Sequence, residues 1–478
     1  MQSELIKSAS YIAGNWLSAE NNETFPVVNP ATGEEIGTVP NCRAARFQEA
    51  FVAAQTALPK WSAETAWSRA AKLRRFYELI LTHEKELAGI LTLEQGKPFR
   101  EAIGEIRYGA SFVEWFAEEA KRTYGETIPT SDPSKRMMVI RQPVGVCAAI
   151  TPWNFPNAMI TRKMAPALAA GCTIVVKPAP ETPLSALALA ALAEKAEIPA
   201  GVFNVVTGDP IEFATTAMKL DYVRKVTFTG STEVGKTLMR QAADTVKRMT
   251  LELGGNAPFL VFEDADVERA VDGAMTAKYR NGGQTCISVN RFIVHEAIAD
   301  KFSSLLAEKS RALRVGNGMQ KETEVGPLIN EDAINKVSAL LSDALAQGAT
   351  LTCGSVPDRK SLFAQPTVLT GVSRDMRIWR EEIFGPVAAI HRFSSEAQAL
   401  ELANDCLHGL ASYVYTRDIG RAHRVSEGLQ FGMVGINDSF ISYPQAPFGG
   451  IKQSGFGREG GKQGIDEYLN IKYVTIGI

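Results

Sequence analysis

From residue 43 to residue 119, apolar side chains recur three and four positions apart, most clearly over 69–80 and 84–94. This spacing predicts amphipathic helices. Gly96-Lys97-Pro98 interrupts the pattern and predicts a break. The first fifty residues mix polar and apolar positions around turn signals, Asn29-Pro30 and Thr32-Gly33, and predict short surface strands. Residues 124–141 are polar, with Gly125, Pro129 and Pro133, and read as an exposed extended arm.

Beyond residue 143 the rhythm changes. Short apolar runs at 144–150, 173–177, 202–207 and 225–229 alternate with helical patterns at 157–170, at 183–196 and from Ser231 onward. Alternation of this length predicts right-handed crossovers and a mostly parallel sheet covered on both faces, the doubly wound α/β class that binds nucleotides. The pattern restarts after Gly254-Gly255 with a strand at 259–262, a helix through Lys278 and a strand at 291–295. A second Rossmann-like unit is therefore expected, with a boundary near residue 253. At 478 residues the chain is long enough for two such cores.

Charge narrows the function. The 51 basic and 53 acidic residues nearly cancel, and no basic stripe suggests nucleic acid or an anionic membrane. The N-terminus lacks the apolar core of a signal peptide, and the apolar runs are too short to span a bilayer. Six cysteines (42, 147, 172, 286, 353 and 406) form no C-x-x-C pair and lie near no His at metal-ligand spacing. They read as reduced thiols of a cytoplasmic protein with no metal site.

One of the six stands apart. Cys286 follows Asn281-Gly282-Gly283-Gln284-Thr285, where a helix ends in a Gly-Gly turn that lets a ligand approach. A small buried hydrophobe describes Cys147 and Cys172 well and Cys286 poorly. An ordinary thiol needs activation, and none of the five histidines is marked as its base. Glu252, on an apolar strand before Gly254-Gly255, could be one, because burial raises a carboxyl pKa towards neutrality. The dinucleotide signature G-x-G-x-x-G is missing. The nearest segment, Phe228-Thr229-Gly230-Ser231 through Gly235, runs a strand into a helix N-terminus suited to pyrophosphate, although taken alone an ordinary Gly turn capped by Ser231 describes it better.

Glu252-Leu253-Gly254-Gly255 and Gly283-Gln284-Thr285-Cys286 resemble the two signature motifs of the aldehyde dehydrogenase superfamily. The resemblance extends over essentially the whole chain, through Thr151-Pro152-Trp153-Asn154-Phe155-Pro156, Val176-Lys177-Pro178-Ala179, Glu381-Glu382-Ile383-Phe384-Gly385-Pro386 and Pro447-Phe448-Gly449-Gly450. It implies residues 1–122 and 143–253 as the dinucleotide-binding domain and 254–450 as the catalytic domain. It also implies 123–142 with 451–478 as a small β element that builds a homodimer or homotetramer.

The resemblance further implies that Cys286 attacks the aldehyde. Asn154 and the Cys286 N–H would hold the oxyanion, and Glu252 would activate the hydrolytic water. Lys163 and Glu459 would support proton movement. Lys177 would meet the adenine ribose, Ser231 the pyrophosphate, and Glu382 and Phe384 the nicotinamide end. Trp153, Pro180, Gly208, Gly230, Gly235 and Leu253 would complete the cofactor wall. Glu252 also argues against a CoA-acylating member, which must avoid hydrolysis. Pro180 stands where members preferring NAD often carry a ribose-binding Glu, so NADP is expected, with NAD as the alternative.

Within the family the chain resembles the NADP-dependent succinate-semialdehyde dehydrogenase branch. Arg162, Arg280 and Ser442 match positions that the branch places around the substrate's distal carboxylate. Glutarate semialdehyde, or another small carboxylated or hydroxylated aldehyde, is the alternative substrate. Some members carry a second cysteine two residues after the nucleophile. Here that residue is Ser288, so no regulatory disulfide is expected there.

Overall fold

The computed structural model describes residues 3–478. Its architecture is α/β, built on two large sheets. In the first, five parallel strands run in the order Phe203–Val205, Thr173–Lys177, Val146–Ile150, Val223–Thr229 and Arg248–Glu252. Antiparallel strands flank them: Ser10–Ile12 and Asn15–Leu17 on one edge, Gly455–Phe456 on the other.

Continuous apolar runs form these strands because both faces are covered. Cys147, Ala149, Ile174 and Val176 enter one hydrophobic core, whereas Val146, Ala148, Val175 and Val226 enter the opposite one. The two-residue period of the strand sorts them. The helices Ala158–Ala170 and Pro183–Lys195 cover the first face. Ala158–Ala170 is buried along its whole length, and Pro183–Lys195 along all but its last two residues.

The second sheet follows the order Thr350–Cys353, Thr367–Thr370, Val387–Phe393, Val289–His295, Ala257–Val261, Ala411–Tyr415, Met433–Ile436. Only its outermost strand, Thr350–Cys353, is antiparallel. The first sheet ends at Glu252 and the second begins at Ala257, so the passage between them falls on Leu253-Gly254-Gly255.

Two details differ from the sequence reading. The first central strand begins at Val146 rather than 144, because Gly145 takes φ +123° and turns the chain into it. The segment 451–478 is not all arm. Gly455–Phe456 joins the edge of the first sheet, and Ile465 and Tyr468 are buried in its core. Only Leu469–Gly477 pairs with the arm strand Lys135–Pro143, from Leu469↔Pro143 to Gly477↔Lys135, with Glu126–Ile128 on its other side. This three-stranded sheet is largely exposed, including Ile471 at 69% and Tyr473 at 54%. No described helix is long and apolar enough to cross a membrane.

The predicted break at Gly96 is a left-handed cap with φ +91° that ends the helix Glu84–Gln95. The helix Phe99–Glu119 follows and packs on Ala158–Ala170.

Candidate active site

The chain leaves the first sheet in one direction from Val146–Ile150 and in the other from Val223–Thr229. The carboxyl ends of these neighbours therefore open a crevice at a topological switch point. A cleft of about 610 Å³ lies there, lined by Trp153, Lys177, Pro180, Glu181, Ile211, Gly230 and Val234 among others. A smaller cavity of about 220 Å³ shares Pro152, Trp153, Thr229 and Gly230 with it, and reaches Asn154, Ser231, Glu252, Leu253, Cys286, Glu382 and Phe384. The sequence-predicted nucleophile, base and oxyanion donor thus line the inner cavity, and Lys177 and Pro180 the outer cleft.

Backbone conformation explains the turn before Cys286. After the helix Val267–Tyr279, Asn281, Gly282 and Gly283 take φ of +52°, +60° and +76° in succession, which favours glycine. A β-carbon on Gly283 would strike the Gly385 carbonyl, and one on Gly255 the carbonyl of Cys286 itself. The Asn281 N–H donates to Glu101 at 2.7 Å, which pins the turn to the helix Phe99–Glu119. Cys286 is half-buried. Burial pushes its thiol up to about 12. Arg162 opposes that shift, while Glu252 and Glu382 add to it.

Glu252, 3% exposed, ends its strand with no hydrogen-bond partner on either carboxyl oxygen among the described residues. Burial and then the charge of Glu459 hold its pKa well above the ordinary value. Glu459 has the opposite fate despite its burial, because Lys163 and Arg162 hold it below the carboxylate range. Lys163 Nζ donates to Glu459 and, at 2.6 Å, to Thr229; Arg162 pairs with Glu459 at 2.7 Å. Asn154 donates its side-chain amide to the Gln284 carbonyl at 3.1 Å. Its own carbonyl accepts from Lys97 at 2.8 Å and from Asn281 at 2.9 Å.

The cleft fits a dinucleotide. Lys177 is 1% exposed, and its ammonium takes no ion pair among the described residues; desolvation lowers it to about 8. A buried cation without an anion calls for a ligand acceptor. Ser231 caps the helix Thr232–Ala243 by accepting from the Val234 N–H, so that helix N-terminus points at the cleft. Glu382 accepts from the Gly255 N–H at 2.8 Å and is pushed up to about 7 by burial. Phe384 meets Trp153 edge-on at 5.5 Å between ring centres and takes φ +55°. That conformation is strained for an aromatic residue and is often found at binding sites.

A model of the aldehyde dehydrogenase family matches residues 16–474. The chain belongs to the aldehyde dehydrogenase family. It is 54% identical over 476 residues to a 3-sulfolactaldehyde dehydrogenase of Pseudomonas putida, covering 99% of this chain and 98% of that one. It is 52% identical to an NADP(+)-linked succinate-semialdehyde dehydrogenase of Escherichia coli, covering 100% and 99%. The solved structure of a succinate-semialdehyde dehydrogenase from Burkholderia pseudomallei superposes with a TM-score of 0.98 at 55% identity, covering 100% and 99%.

Two expected cofactor residues of this aldehyde dehydrogenase line neither cavity. Gly208, at φ +128°, lies against Cys42, whose carbonyl a β-carbon would strike. Gly235 lets its helix approach Leu253, whose side chain a β-carbon would meet at 2.6 Å. Both glycines allow a close approach of the backbone at these contacts.

The three residues of the expected carboxylate clamp have different surroundings. Arg162 is 2% exposed, stacked 3.9 Å over Phe448 and paired with Glu459, a carboxylate it shares with Lys163. Arg280 is half-buried beside Phe155 (4.8 Å) and Phe440 (5.9 Å), with no ion pair among the described residues. Ser442 is buried and hydrogen-bonded to the Tyr108 hydroxyl. Sequence reasoning missed Tyr108, Glu101 and Lys97. For Glu101 and Tyr108 the signal was a polar residue on a helix face otherwise patterned for the core; Lys97 sits in the break between two helices, where nothing in the sequence marks it.

Proposed function

We propose that this enzyme oxidises succinate semialdehyde to succinate with reduction of NADP. Arg280 carries the reading: a half-buried guanidinium with no ion-pair partner among the described residues, felt electrostatically by Cys286, suits an anionic group at the far end of a short aldehyde. The relatives support an acidic substrate, since those described above are named for aldehydes bearing a carboxylate or a sulfonate. Glutarate semialdehyde and other small carboxylated or hydroxylated aldehydes suit the same clamp and form the alternative.

Cys286 Sγ attacks the aldehyde carbon, and its proton passes to the ionised fraction of Glu252. Asn154 Nδ2 and the Cys286 N–H meet the developing oxyanion. Bound across the cleft against Lys177, Ser231 and Glu382, the nicotinamide cofactor supplies the hydride acceptor. Hydride loss leaves a thioester on Cys286. Glu252 releases the thiol proton to solvent and then takes a proton from the water that attacks the thioester. That attack expels the acid and the Cys286 thiolate, and the acid's proton returns to sulfur. Lys163 and Arg162 keep Glu459 ionised, and that charge helps raise the Glu252 pKa and so its strength as a base.

Three measurements test this. Assaying NAD(P)H formation across an aldehyde panel, with and without CoA, should give the highest kcat/KM for succinate semialdehyde and no CoA dependence; a preference for uncharged aldehydes would reject the substrate class. Arg280→Ala should raise KM for succinate semialdehyde roughly 10- to 150-fold, the equivalent of about 1.5–3 kcal/mol, and KM for propanal less than about threefold. Equal effects on both would sink the clamp. NADP is proposed because Pro180 replaces a ribose-binding carboxylate that would repel a 2′-phosphate, and because the Escherichia coli relative is NADP(+)-linked. A tenfold or greater preference for NAD would overturn it.

We place the enzyme in the cytoplasm, with all six cysteines reduced. We assign the exposed three-stranded arm to a homodimer or homotetramer contact, since Ile471, Tyr473 and Ile476 otherwise leave apolar surface in water.

A further inference from the structure

The helix Phe99–Glu119 touches four separate parts of the site from one face. Glu101, Glu105, Tyr108 and Phe112 follow one another at spacings of four, three and four, which stacks them along a single stripe. Glu101 accepts from the nucleophile turn at Asn281, Tyr108 meets Ser442, and Phe112 lies 5.5 Å from the Arg162 guanidinium. Glu105 is the most deeply engaged. One of its oxygens pairs with Lys97 at 2.5 Å, both side chains being 1% exposed. The other accepts from the Asn157 N–H at 2.9 Å and the Ala158 N–H at 3.2 Å, at the start of the helix Ala158–Ala170. Lys97 closes the circuit by donating to the Asn154 carbonyl at 2.8 Å and lying 3.9 Å over the Phe155 ring.

Two fully buried charges are costly to desolvate and stabilise little by themselves. Here they grip the 151–157 loop at its middle and at its end, Lys97 at Asn154 and Phe155, Glu105 at Asn157 and Ala158. We propose that the Lys97–Glu105 ion pair is a positioning device for the oxyanion donor, fixing the backbone from which the Asn154 amide reaches the substrate oxygen. Neither side chain lines the cleft or the inner cavity. Both act through Asn154. The inference rests on the reading of Asn154 as the oxyanion donor.

Glu105→Gln retains acceptor capacity for the two N–H groups but removes the charge opposite Lys97. It should lower kcat, per Cys286 titrated with iodoacetamide, on the order of 10- to 100-fold, the scale of a displacement of about 1 Å at a reacting group. KM and nucleotide Kd should change less than about threefold. The decisive measurement repeats the substitution in an Asn154→Ala background, where a further loss below about twofold is expected because the group being positioned is gone. An equal loss in both backgrounds, or no loss in the parent, overturns the positioning role. An Asn154→Ala enzyme with full kcat instead overturns the oxyanion reading beneath it. If Glu105→Gln yields too little folded protein, the paired Lys97→Met, Glu105→Leu change removes both charges and carries the same comparison with the same outcomes.

Discussion

Cys286→Ser is expected to lower kcat on the order of 10⁴-fold or more while leaving the NADPH Kd within about threefold of the parent. The first part follows from intrinsic reactivity. Sulfur is a strong nucleophile even as a small thiolate fraction, whereas a serine hydroxyl without a strong base is not. The second follows from geometry. Cys286 lines only the inner cavity and not the outer cleft where Lys177 waits. Burial pushes the thiol up to about 12, so Cys286 depends on a neighbouring base to lose its proton. Steady-state kinetics with nucleotide-binding titration decides the matter; more than a tenth of parental kcat in Cys286→Ser would remove Cys286 from the chemistry.

The same cysteine shows what a sequence can and cannot reveal. Its Gly-Gly turn was legible because successive left-handed residues demand small or permissive side chains, and Asn281, Gly282 and Gly283 supply them. The parallel sheets were legible because strands buried on both faces read as short unbroken apolar runs. Strand ends were less so, since Gly145 shifts one of them by a backbone angle that no periodicity encodes. Gly208 and Gly235 are less legible for a related reason. A glycine signals close approach, not what approaches, and here Cys42 and Leu253 stand against them. Arg162 has a neighbour that its own segment does not announce: nothing local to residues 160–163 reveals Glu459, almost three hundred positions away, which it shares with Lys163.

Glu252→Gln should separate the two halves of the reaction. Hydride transfer leaves a thioester whose hydrolysis needs a base, and the amide cannot supply one. Mixing the variant with aldehyde and NADP should give a slowed burst of one NADPH per active site, then turnover reduced by about 10²- to 10⁴-fold. A burst proportional to enzyme reports an accumulating acyl-enzyme; its absence, with turnover intact, would reassign the base. The pH dependence follows from the direction of the shift. Burial, then Glu459, raises the Glu252 pKa, so the basic form appears only above that raised value. Parental kcat/KM should therefore climb as pH rises through it, and the Glu252→Gln profile should lose that limb. Stability must show the opposite trend. A folded-state pKa above the unfolded value means that the fold favours the protonated acid, and this contribution is lost as pH rises through the folded pKa. Glutamine has no proton to lose. Tm of Glu252→Gln should thus exceed the parent's by more at pH 9 than at pH 5, and a scanning-calorimetry series with the reverse ordering would contradict a buried, proton-holding Glu252. The raised pKa that makes Glu252 a stronger base is also what makes its ionisation costly to the fold as pH rises.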